Sequence, residues 1–158
     1  MKSPLLHSAR TGLVFAIVHI FLVLIGFNTL VGTLLARVSG AQLVGSLPPA
    51  RFMVIYTLLL ALWAGLSATR RARAKTFTGA LGMGAAAGFA AGLIAFLFSL
   101  GIAWFLVNKV DFRQYLAVLS FDFIRVTLFN LSPLAGALAT AGLFTGGGAL
   151  GGLVNGVL

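Results

Sequence analysis

Residues 77–107 read FTGALGMGAAAGFAAGLIAFLFSLGIAWFLV, 31 consecutive positions without a charge. A helix rises 1.5 Å per residue, so about 20 apolar residues cross the hydrocarbon core of a bilayer. This run is longer than that and leaves length for tilt or for an extension into the interface near Trp104. Three more apolar runs flank it, at about residues 12–36, 52–68 and 133–158. The whole chain agrees: 158 residues are 60% apolar and 8% charged, with a mean hydropathy of +1.10. A soluble domain carries about 25% charged residues, enough to cover a wet surface. Here there are too few, and there is no cysteine. A soluble enzyme domain, a disordered tail and a disulfide scaffold are excluded. The composition predicts an all-α integral membrane protein with about four transmembrane helices, forming a single transmembrane domain over 1–158.

The four runs differ in how firmly they are bounded. The first is 25 residues, well beyond the roughly 7–15 of a signal-peptide core. An uncleaved anchor is therefore expected, although Ser39-Gly40-Ala41 has the small residues that a peptidase prefers. Gly40, Gly45 and Pro48-Pro49 mark 37–51 as a short external loop. The second run, 52–68, is near the lower limit for crossing, with Tyr56 and Trp63 as expected interface anchors. The last run follows Ser132-Pro133, a good N-cap before a proline suited to the first turn. Its triplet Gly146-Gly147-Gly148 predicts a kink or break.

The segment 111–130 reads two ways. At about 100° per residue, Asp111, Gln114, Asp122 and Arg125 fall within about 80° of one another on a helix. An amphipathic helix in the outer interface would turn that stripe toward headgroups. A short fifth span would turn it toward other helices. The interfacial helix is preferred, because Asp111 and Gln114 continue the stripe toward water. It also places both termini on one side.

Eleven Lys/Arg against two Asp/Glu give a net charge of +9. In a soluble protein that balance would raise nucleic-acid binding; beside apolar runs it describes topology, and no nucleic-acid partner is expected. Lys2, Arg10, Arg70, Arg71, Arg73 and Lys75 outnumber Arg37, Arg51, Lys109 and Arg113 on the other side. The positive-inside bias puts the N-terminus and the loop 69–76 in the cytoplasm.

Glycine is the most informative residue type. Ala80, Gly84, Gly88 and Gly92 recur every four residues, as do Gly148, Gly152 and Gly156. Spacing by four stacks them on one helix face, where missing side chains let two backbones approach closely. These ladders are expected contact surfaces, between the two spans or toward partner subunits. His19 lies mid-span. Its imidazole fits either a hydrogen bond to a neighbouring helix or, with lower weight, ligation of a haem or pigment. Asp122 and Arg125 pair at i, i+3, and with Asn155 they would line a polar path if the segment spans. Asp111 and Asp122 are the only acids. No metalloprotease helix, serine-nucleophile elbow or phosphate loop occurs, so an enzyme is not expected.

The tail Gly147 to Leu158 resembles a glycine-rich span of ABC permeases for sugars and branched-chain amino acids. The likeness runs through Gly152-Leu153-Val154-Asn155-Gly156, a Gly-x-x-Asn-Gly element. It covers about a dozen residues, too few to assign the family, and implies a membrane component of a transporter. Three readings follow. The first is a non-enzymatic subunit packing against other membrane subunits, or against itself, through its glycine ladders. The second is a transport component. The third is a pigment- or haem-binding subunit using His19.

Overall fold

The structure, a computed structural model, describes residues 4–27, 31, 34, 49–74, 76–108, 128–129 and 131–157. Pro4 has no N–H to lose and opens α1, Pro4–Leu24. Ser8 and Thr11 donate their hydroxyls to the carbonyls of Pro4 and His7, at 3.2 and 3.1 Å. Their polarity is thus absorbed one turn back, which lets the helix begin in a polar stretch. The end at Leu24 also has a local cause. Gly26 takes φ +68°, and its N–H bonds the Val23 carbonyl at 3.1 Å, a left-handed stop. The first helix begins before the expected 12, and of the expected 25–36 the described residues include helical Phe27, Val31 and Leu34.

The second helix, α2, runs Pro49–Ala72 and so begins before the expected 52 and continues past 68. Its end is a left-handed cap. The N–H of Ala74 reaches the Thr69 carbonyl and that of Arg73 the Arg70 carbonyl, both at 3.3 Å. This is the Schellman pattern, with Arg73 at φ 50° where glycine is usual. Thr76 then caps α3, Phe77–Asn108, its hydroxyl accepting from Gly79 N–H at 3.1 Å. Ser132 caps α4, Pro133–Val157, accepting from Ala135 N–H at 3.4 Å. This is the start that Ser132-Pro133 predicts. The expected break at Gly146-Gly147-Gly148 does not occur, and α4 is continuous through it. Two of the three glycines are held against neighbouring helices, which offsets the backbone freedom that would otherwise open the helix.

Among the described residues all regular structure is helical, and all four helices are long and apolar enough to cross a membrane. The protein is a multi-pass membrane protein. Its outside is apolar: Leu13, Ile17, Phe21, Leu59, Trp63, Phe89, Leu97, Trp104, Leu138 and Leu150 are all exposed. Its inside is built largely of small residues, including Ala16, Ala61, Ala64, Ala87, Ala91 and Ala95, around Phe144, Met53 and His19. In lipid that division is what packing demands, since small residues allow close approach and large ones face the chains.

Helix directions follow from the contacts. The short turn after α2 reverses the chain into α3. Along α3, Ala80, Gly84, Gly88 and Gly92 meet Gly152, Gly148, Phe144 and Ala141 in descending order, so α4 is antiparallel to α3. Phe15 meets Trp63 and His19 meets Tyr56, so α1 is antiparallel to α2. Pro4, the turn at 73–76 and Val157 therefore share one end of the bundle. Leu24, Pro49, Asn108 and Pro133 share the other. Asn108 and Pro133 lie at the same end, and the expected amphipathic segment 111–130, apart from Leu128 and Phe129, lies outside the described residues. Of the segment 111–130, Leu128 and Phe129 are described, and Leu128 is buried against Gly136 in the first turn of α4.

Candidate functional site

Two features of the interior are built from the residues singled out above. The first is the seam between α3 and α4. A Cβ placed on Gly148 would fall 2.6 Å from the Gly84 carbonyl oxygen, and one on Gly92 would fall 2.8 Å from that of Ala141. On Gly84, Gly88 and Gly152 it would collide with the carbonyl oxygens of Gly148, Phe144 and Ala80. No side chain fits at these positions. Gly84, Gly88, Gly92, Gly148 and Gly152 thus face one another inside the chain, while Gly156 lies in the last turn of α4.

The same helix carries a second face that the period-four reading left out. A Cβ on Gly151 would strike the Leu62 carbonyl, and one on Gly147 would fall 2.6 Å from Ala61 Cβ. Gly65 of α2 and Gly12 of α1 are equally closed, against Gly148 and Ala87. So α4 is wedged between α2 and α3 through backbone on both sides. The signal for the second face was present as the i, i+4 pair Gly147/Gly151. Gly12 and Gly65 have no second glycine at that spacing, and their signal is the weaker one of small residues four apart, Ser8/Gly12/Ala16 and Ala61/Gly65/Thr69.

The second feature is a polar centre. His19 is 1% exposed. Its ring stacks on Tyr56 at 5.9 Å between centroids and meets the edge of Phe144 at 5.1 Å. Tyr56 also contacts Phe27 at 5.6 Å. Tyr56 is thus a core residue, 9% exposed, and not the interface anchor expected of it. The helix begins at Pro49, which carries position 56 two turns deep. Trp63, by contrast, is exposed on the outer surface and edges onto Phe15.

His19 Nδ1, the Tyr56 hydroxyl and Thr57 Oγ1 are buried without a hydrogen-bond partner. A tetrapyrrole needs open space in front of its axial imidazole. With Tyr56 and Phe144 against the ring and so little of it exposed, that space is not there, and the geometry does not favour haem or pigment ligation. Among the described residues no three His, Cys, Asp or Glu side chains come together to hold a metal. Asn155, near the end of α4, is half-buried at the end that also carries exposed Arg70, Arg71 and Arg73. Asp122 and Arg125, the other two residues of the expected polar path, lie outside the described residues.

No family model, curated protein or solved structure matches the chain.

Proposed function

We propose that the protein is a non-enzymatic membrane subunit that acts by packing against other membrane proteins, with the end carrying Arg70, Arg71 and Arg73 in the cytoplasm. One observation carries this reading. The glycines that close the bundle do not exhaust those of α4. Gly142 and Gly146 are exposed on its outer face, and among the described residues nothing lies within 4 Å of where their Cβ atoms would be. They are four apart and lie in line with exposed Leu138 and Leu150. A notch of two glycines between two leucines is a shape that a second helix fills, giving close backbone approach that lipid chains do not match. The ladders at 84–92 and 148–152 cannot serve a partner, because each is covered by the other. Sidedness rests on the positive-inside bias applied to that basic end.

Native mass spectrometry after gentle detergent extraction tests the reading. The double variant Gly142→Leu/Gly146→Leu is expected to run as the single chain while keeping the wild-type unfolding temperature. Wild-type protein is expected to carry a second membrane chain. Retention of the assembly by the double variant would overturn the notch as the contact.

A further inference from the structure

We infer that His19 and Tyr56 hold a water-sized hydrogen-bonding molecule between them in the core of the bundle. The inference starts from how the chain treats four of its other buried hydroxyls. Ser8, Thr11, Thr69 and Thr140 each donate to the carbonyl four residues back in their own helix, at 3.0–3.2 Å. Such groups need nothing from a neighbour. An imidazole and a phenol cannot do this, because their polar atoms are carried too far from their own backbone.

Both are deeply buried, and neither His19 Nδ1 nor the Tyr56 hydroxyl has a partner. Thr57, next along α2, is fully buried, and its Oγ1 does not take the local bond that those four hydroxyls take. An unpaired buried polar atom loses its solvation with no return, and a membrane interior offers no compensation nearby. The stacked rings bring the His19 and Tyr56 atoms to one site, whereas Thr57, one residue further along α2, turns to a different side of the helix.

The chemistry of the lining fixes the occupant. Internal waters make two to four hydrogen bonds, and a phenol and an imidazole nitrogen supply two between them. Ala16, Ala61, Met53 and Phe144 in the surrounding core are buried and apolar, and no charged side chain is buried among the described residues. An ion would lack a counter-charge there. A neutral molecule of water's size does not need one.

Tyr56→Phe removes one oxygen and keeps the ring. If the occupant bridges the pair, the variant strands His19, and the unfolding temperature in detergent is expected to fall by about 2–4 °C. The fall in His19→Phe/Tyr56→Phe is then expected to be smaller than the sum of the two single variants. If the phenol is merely stranded, Tyr56→Phe raises the unfolding temperature or leaves it unchanged, and the inference fails. A second measurement does not depend on these variants folding. The chain has two histidines, so labelled imidazole nitrogens are assigned by adding His7→Gln. Magnetisation transfer from water to the His19 ring is expected in the wild-type bundle. Its absence would overturn the inference.

Discussion

A single added methyl group has opposite consequences at two glycines of α3. Gly82 is exposed, with nothing within 4 Å of its would-be Cβ. Alanine there reduces the freedom of the unfolded chain and is expected to stabilise by about 0.5–1 kcal/mol. At Gly88 the methyl meets the Phe144 carbonyl. The two backbones must separate, and Gly88→Ala is expected to destabilise by about 1–3 kcal/mol. Thermal unfolding of the two variants in detergent checks the sign; a gain at both would mean that α3 and α4 are not in contact at Gly88. The ladders at 84–92 and 148–152 were legible because a strict spacing of four defines a helix face. Gly12 and Gly65 were not read, because their neighbours at four residues are Ser, Ala or Thr, a weaker signal than a glycine ladder. His19 was legible as a polar residue in an apolar run. Its companion Tyr56 was misjudged because an amphipathic ring near an apparent span boundary suits the interface, and that boundary was placed too late.

At the scale of the elements, the number and type of helices followed from apolar length, which the bilayer imposes on every span alike. Helix ends depended on local hydrogen bonds that hydropathy does not register. The early start of α1 shows this, with its hydroxyls satisfied one turn back, as does the left-handed turn at Gly26. The end of α2 is a further case. Arg73 holds φ 50° so that Ala74 can reach Thr69. A side chain in that conformation costs about 1–2 kcal/mol, and glycine relieves much of it. Arg73→Gly is therefore expected to raise stability by about 1 kcal/mol in thermal unfolding. A loss would show that the Arg73 side chain contributes more than its backbone strain. The uninterrupted course of α4 through Gly146-Gly147-Gly148 makes the converse point, since a tertiary neighbour on each flank overrides a weak local preference.

For the whole molecule, helix direction converts local contacts into sidedness. Residues 72 and 131 lie at opposite ends of the bundle, and the chain has no native cysteine to compete. With Ala72→Cys and Leu131→Cys, an impermeant thiol reagent applied to intact cells is expected to label position 131 and spare 72. Labelling of 72 would invert the assignment, and labelling of both would contradict the antiparallel arrangement of α3 and α4. The segment 109–132 was the least legible part of the chain, because a polar stripe of that width fits either an interface or a seam. Apart from its last residues, it lies outside the described residues. The glycine seam has a further consequence in terms of entropy. Glycine and alanine have no rotamers to lose, so bringing α3 and α4 together freezes little side-chain motion beyond that of buried Phe144. Seating α1 against α2 and α4 immobilises His19, Phe15, Tyr56 and Trp63. Rising temperature therefore penalises the two joints unequally, and the side-chain share of that penalty falls mainly on α1.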